Sequence, residues 1–521
     1  MGVLAIIAAA LALLPLAGLV VTAMQPGAVD LPWPDVRRYA LGSVLLAALV
    51  GAGVAVLGTA AAWLVVMHDF PGKRVFAWAL VLPLAAPGFA IAYAYADLFD
   101  VAGPFRFWLR DVAGFDIAIR MRSLWGAAFV LTMAFYPYVY IAMRAAFLNQ
   151  SVSALEAARS LGCTPVQAFA RAALPLARPA LAAGVALAVM ETLADYGAVQ
   201  FLSFDTLTTG VVRAWSVMGS TPSAARLALP LLALAAVLMW LERWGRRARS
   251  YAAADARWRP LPVTPLRGVR GALASGYCAS LLIAGLGLPV LWLVIVGLRV
   301  SPEIGRIVTS ASNALVLGLS GALLTVVLAT ALALGARKLP LTARIASLGY
   351  ATPGSAMAIG LLVPAAFVWQ NLPGALSATG FAIIVLIYAY AARLMAAALE
   401  PVDAGLMRIT PSMVMAARSL GRSEGGAALS VQVPIVSGSL LSAMLVVFID
   451  ILKELPATLI LRPFNFDTPA VLAYNYARDE RLAQAAWPSL LIILVALPAV
   501  IWLSRRINAS RPGAGETGAR A

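Results

Sequence analysis

The chain has 521 residues, of which 62% are hydrophobic and only 12% charged, and its mean hydropathy is +0.89. Those values exclude a soluble globular protein, in which about 25% of residues are charged. The net charge of +16 does not mark a nucleic-acid binder, because the arginines are scattered among short loops with no basic stripe and no interleaved aromatic platform; topology and anionic lipid explain it better.

The first apolar block, 2–24, has no basic residue before it and runs straight into further apolar sequence, so it reads as a retained helix and not as a cleaved signal peptide. Blocks 41–67, 75–99 and 124–143 follow. Each is long enough, at about 1.5 Å per residue, to cross ~30 Å of hydrocarbon. About six spans are expected within 2–241 and about six more within 273–503, giving an all-α integral membrane protein of about 12 transmembrane helices. Between the halves lies a polar segment carrying Arg243, Arg246, Arg247, Arg249, Arg257, Arg259, Arg267 and Arg270. The expected organisation is therefore a first transmembrane module at 1–242, a basic cytoplasmic linker at 243–272 and a second module at 273–521.

The positive-inside rule puts 68–74, 150–178, 337–344, 400–432 and the tail from Arg505 on the linker's side and predicts that both termini are cytoplasmic. Arg37, Arg106, Arg110, Arg120, Arg122, Arg462, Arg478 and Arg481 break the rule, falling in loops assigned to the outer face. Cys163 and Cys278 are isolated, so neither a disulfide nor a thiol metal site is expected.

The halves share a gapless repeat. EAARSLGCTPVQAFARAALP at 156–175 matches MAARSLGRSEGGAALSVQVP at 415–434, with Ala-Ala-Arg-Ser-Leu-Gly identical at an offset of 259. The same offset carries Glu191 onto Asp450 and Asp195 onto Glu454. After a short insertion, Phe204-Asp205-Thr206 recurs as Phe466-Asp467-Thr468. Local chemistry predicts a helix, a turn and a second helix in each copy. Ser153 to Glu156 has capping-box form, Gly162 supplies a left-handed turn, and Thr164-Pro165-Val-Gln167 opens the next helix. The second copy enters at Thr410-Pro411 and turns at Gly421. Such an element, apolar on one side through Leu155, Leu161 and Phe169, is either a docking surface or an amphipathic loop lying on the membrane.

The pattern Glu-Ala-Ala, then Gly six residues after the Glu, then Leu-Pro resembles the EAA loop of binding-protein-dependent ABC importer permeases. The resemblance implies two tandem pseudo-symmetric type I (MetI-like) modules, with EAA loops at 150–178 and 404–435. It implies that each loop seats in a cytoplasmic ABC ATPase subunit through Glu156, Ala157, Ala158 and Gly162, and through Ala416, Ala417 and Gly421. Met415 departs from the pattern where an acid is expected, so the two contacts need not be equivalent. The implied partners are two copies of the ATPase, which bind ATP and Mg, and an extracytoplasmic binding protein. The implied location is the bacterial inner membrane.

No Gly-x-x-x-x-Gly-Lys-Ser/Thr occurs, so the chain is not expected to hydrolyse ATP. No zinc-ligand cluster or nucleophile elbow appears either; catalysis, a resident cofactor and an assignable metal site are not expected. Double length, together with Glu191-Thr-Leu-Ala-Asp195-Tyr-Gly, Lys453-Glu-Leu-Pro-Ala-Thr and Arg462-Pro-Phe-Asn-Phe-Asp467-Thr, resembles the ferric iron permeases most closely and the thiamine permeases next. Sulfate, phosphonate and polyamine are further options.

One physical observation bears on substrate. Glu191 and Asp195 lie four apart in an apolar run, as do Asp450 and Glu454, and intramembrane acids usually face a bundle interior or a wet cavity. They either line a pathway favourable to cations or pair structurally with Lys453 and nearby arginines. Two other classes remain open: a secondary transporter driven by an ion gradient, in which these acids would carry protons, and a structural membrane scaffold.

Overall fold

The computed structural model describes every residue except 1, 30–31, 101–102, 117–118, 149–159, 248–262, 337–338, 340–341, 343–345, 347–348, 350–351, 372–373, 375–376, 408 and 510–521. The described residues form helices, joined by short turns and by one two-residue parallel pairing of His68–Asp69 with Thr264–Pro265. Among them, 10 helices are long and apolar enough to cross a bilayer, or up to 11 if one bent pair is a single span.

The architecture is the expected all-α membrane fold, with one expected span differently built. The block 75–99, expected as one span, is broken into Lys73–Ala79, a 3-10 turn at Leu82–Ala85 and Gly88–Phe99. The segments Lys73–Ala85 and Gly88–Ala113 meet at 90°. Pro83 and Pro87 have no N–H to donate, and Pro87 is extended at φ −64 and ψ 143, so the ladder stops and restarts at Gly88. The matching Pro353-Gly354 opens Gly354–Asn371, which is also not among the 10.

Helix runs into both ends of the linker. Thr221–Arg247 carries helix through Arg243 and Arg246, and Val269–Leu282 already includes Arg270. Arginine and alanine are strong helix formers and extend a span beyond its apolar stretch. The end of the linker is fixed in place: Leu266 N donates to Asp69 O at 2.8 Å, and Ser275 Oγ donates to Pro71 O at 2.6 Å.

The chain divides into two compact units that cut across the linear repeat. Unit one comprises Met1–Ala40, Thr206–Ala233 and Ser301–Ile492; unit two comprises Leu41–Asp205, Leu234–Val300 and Ile493–Ala521. In unit one the N-terminal helix Gly2–Met24 packs against Gly354–Asn371 and Ile304–Ala336. It is held there by Tyr388, whose hydroxyl donates to Leu11 O, and by Arg226, whose Nε donates to Ala23 O at 3.1 Å.

Unit two is built around Leu124–Leu148 and Leu174–Ala194, with Tyr93, Tyr136 and Tyr140 fully buried. It takes in the first helices of the second repeat. Tyr277 donates to Leu57 O at 3.0 Å, Tyr95 to Ala284 O at 2.6 Å, and Trp292 Nε1 to Asp97 Oδ2 at 2.8 Å. Each repeat's leading helix thus packs in the unit made mostly from the other repeat.

Candidate functional site

The repeat is a repeat of structure as well as of sequence. In the first copy Glu156, Ala157 and Ala158 lie outside the described residues. Gly162 turns the chain at φ +82 with nothing near the place a Cβ would occupy, as the left-handed turn requires. The expected second helix forms at Pro165–Ala168 and is capped reciprocally. Thr164 N donates to Gln167 Oε1 at 3.0 Å and Gln167 N to Thr164 Oγ1 at 3.3 Å.

In the second copy Pro411–Ser419 is helical, with Ala416 exposed and Ala417 buried. It ends at Gly421, φ +83. There Arg422 N donates to Ala417 O at 3.2 Å and Gly421 N to Arg418 O at 3.0 Å, the paired bonds of a Schellman ending. Ser423 Oγ accepts from Gly426 N at 3.1 Å to start Glu424–Ala427. Gly426 stands where Gln167 stands in the first copy, so the reciprocal half of that cap is lost.

Leucines with no counterpart in the expected contact set emerge here. Leu161 is 84% exposed and Leu420, at the same offset, 85%; each immediately precedes the turning glycine. Met407, Met413 and Met415 are exposed around the second loop. Adaptable apolar side chains in that density mark a surface built to be covered. Only Leu161 was singled out by sequence, from its place on the apolar side of the loop.

The offset of 259 persists into the membrane. A π-helical turn at Phe169–Ala173 is matched at Ala428–Gln432, and the long helices Leu174–Ala194 and Val433–Lys453 follow. Both end at the acid. Asp195 has φ −70, ψ 122 and Glu454 φ −70, ψ 119, and each turns the chain into a short helix, Gly197–Phe201 or Pro456–Leu461. Asp195 Oδ1 accepts from Ala198 N at 2.8 Å, and Glu454 Oε1 accepts from Ala457 N at 3.1 Å. The carboxylates therefore stand in for the backbone partners those helix starts lack.

Each acid also closes on the glycine that opens another helix of its unit. A Cβ on Gly88 would lie 2.7 Å from Asp195 Oδ2, and one on Gly354 would collide with Glu454 Oε1. In unit one the acids are ion-paired: buried Glu454 with Arg393, and half-buried Asp450 with Lys453 at 3.1 Å. Ion pairs of the kind the sequence allowed for are thus present at Asp450 and Glu454. Tyr390 and Thr458 share a 2.6 Å hydrogen bond beside them. In unit two Glu191 and Asp195 are half-buried. Arg393 was not found from sequence, because a lone arginine in a span gives no clue to its partner 61 residues away.

The repeated Phe-Asp-Thr is a helix start. Thr206 caps Leu207–Ser216 through Thr209, and Thr468 accepts from Val471 N to cap Pro469–Arg478. Among the described residues no group of three or more His, Cys, Asp or Glu side chains is placed to hold a metal ion.

Residues 37–250 match the family described as binding-protein-dependent transport system inner membrane component. The chain is also 32% identical over 196 residues to the sulfate transport system permease protein CysT of Escherichia coli, covering 37% of this chain and 69% of that protein. The chain belongs to this family of inner membrane components. It is 26% identical over 472 residues, 88% of each chain, to the Fe(3+)-transport system permease protein FbpB 2 of Haemophilus influenzae. The molybdenum transport system permease protein ModB of Escherichia coli is 29% identical over 189 residues, 35% of this chain and 81% of that one. The protein is thus a multi-pass permease, a non-enzymatic transport subunit of an ABC importer of fused, double-length type.

Proposed function

We propose that this permease carries ferric iron, delivered by a periplasmic or lipid-anchored binding protein. One observation carries the reading: the similarity to the Haemophilus Fe(3+) permease extends over 88% of both chains, whereas the sulfate and molybdenum permeases match 196 and 189 residues, less than one module. In this reading two copies of a cytoplasmic ATPase, with their ATP and Mg, seat on the loops that turn at Gly162 and Gly421. Glu156, Ala157 and Ala158 contact one copy, and Ala416 and Ala417 the other. Both termini are cytoplasmic. ATP-driven closure of the ATPase pair rocks the permease between inward and outward states.

Glu191, Asp195, Asp450 and Glu454 are the proposed pathway acids. In this reading the four acids, two in each repeat, make the pathway favourable to a cation. An oxyanion is the second reading, favoured by the identity to CysT. Uptake into proteoliposomes holding permease, ATPase and binding protein separates the two. Radiolabelled ferric iron is expected to accumulate, sulfate and molybdate not to compete, and Asp195→Asn to lower iron uptake several-fold at normal permease content. Accumulation of sulfate or molybdate in place of iron would select the second reading.

A further inference from the structure

The arginines that broke the positive-inside rule lead to an unassigned surface. Arg106 and Arg110 lie on the helix Pro104–Ala113, which follows closely on the span segment Gly88–Phe99. Phe105, Trp108, Leu109 and Val112 fall at i, i+3, i+4 and i+7 and so share one face. No residue of this helix is buried: Trp108 is 56% exposed, Val112 68%, and Phe115 just beyond the helix 61%.

Its polar side is neutralised from within. Arg106 grips Asp116 through two bonds, Nε to Oδ1 at 2.7 Å and Nη2 to Oδ2 at 3.0 Å, and Arg110 Nε donates to Asp111 Oδ1 at 2.9 Å. Arg110 also lies 5.2 Å over the Phe107 ring. The hydrogen bond from Arg106 holds the Asp116 carboxyl below the ordinary aspartate range. Charges matched to their own neighbours leave little for a partner protein to complement. What remains is an apolar face edged by aromatic and arginine side chains, the composition found where a helix meets the lipid headgroups.

That face is continuous with the span. Rings run from Phe129 to Tyr95 at 5.2 Å, on to Phe99 at 5.8 Å, to Phe105 at 4.7 Å and to Trp108 at 5.9 Å, without a polar residue between them. We propose that Pro104–Ala113 is an interfacial helix, lying at the membrane–water boundary with Trp108, Val112 and Phe115 in lipid. Arg106 and Arg110 are then interface anchors paired with Asp116 and Asp111.

Spin labels on the full-length permease in phosphatidylethanolamine–phosphatidylglycerol nanodiscs test this, with Cys163 and Cys278 replaced by serine and alanine. Labels at Trp108→Cys and Val112→Cys are expected to collide with oxygen several-fold more than with a water-soluble nickel chelate, and a label at Ala113→Cys to show the reverse. Val112→Cys retains Trp108, so loss of the anchor cannot mimic a negative result. Ready access of nickel to positions 108 and 112 would place the face in water and overturn the proposal. Shielding of both positions from both reagents would mean that protein covers the face, a second copy if the binding protein is absent, and would overturn it equally.

Discussion

Gly354 and Glu454 are in contact so close that neither tolerates an added atom. A Cβ at Gly354 would collide with Glu454 Oε1 and lie 3.2 Å from Arg393 Nη1. Overpacking of this kind costs about 1–3 kcal/mol, so Gly354→Ala should lower the unfolding midpoint of the membrane-embedded chain by several degrees. Glu454→Gln keeps the shape but leaves buried Arg393 without its counter-charge, a change of about 3–5 kcal/mol where a buried pair is broken. Thermal melts of both variants, expected in the order Glu454→Gln below Gly354→Ala below wild type, check the assignment. Unchanged melting of Glu454→Gln would mean that the pair is not a structural pin. The acids themselves were legible in sequence as misplaced charges. Their use as helix caps is local chemistry, each accepting from the N–H three residues on, and was overlooked; their close approach to Gly88 and Gly354 was not legible, since those glycines arrive from distant segments.

At the scale of elements, the paired loops offer a test that leaves the fold untouched. Leu161 and Leu420 are almost fully exposed, so Leu161→Ser and Leu420→Ser should change melting by less than about 0.5 kcal/mol. If each loop seats an ATPase, either variant reduces co-purification of the ATPase several-fold and the double variant abolishes it. Unaltered co-purification by the double variant would remove these leucines from the contact.

His68, the one histidine in the chain, probes a second element, the short pairing of His68–Asp69 with Thr264–Pro265. Burial against Trp63 pushes its pKa down, only partly opposed by a hydrogen bond with the Trp63 backbone, and Lys73 pushes it further down. The folded state therefore holds the neutral ring. Its contribution is fully present above the unfolded value of about 6.5 and is lost as pH falls through the lower folded-state pKa. Wild type should lose stability on acidification in that window, and His68→Phe should not. Parallel pH profiles would refute the burial argument.

The turn and second helix of the first loop were readable from Gly162, Thr164 and Pro165, and the entry and turn of the second from Thr410-Pro411 and Gly421, because caps and left-handed turns are local chemistry; the first helix of the first loop lies outside the described residues. The π turns at Phe169–Ala173 and Ala428–Gln432 were not, since one residue of extra winding leaves an apolar run apolar.

At the scale of the molecule, duplication was visible as an offset, but the packing partners were not. Gly2–Met24 is apolar on every side, and a helix without a distinct face does not announce its neighbour. Its packing against Gly354–Asn371 shows that the repeats exchange their leading helices. Hydropathy likewise merged the broken segment 75–99 into one span, although Pro83 and Pro87 were in plain view.

The central claim is that this chain moves its substrate only when ATP is hydrolysed by a partner seated on its loops. The direct measurement is uptake of binding-protein-delivered ferric iron into proteoliposomes, with and without the ATPase and with and without a protonophore. Uptake is predicted to require the ATPase and ATP and to survive the protonophore. Uptake that proceeds without the ATPase and collapses with the proton gradient would contradict the account and make the chain a secondary transporter.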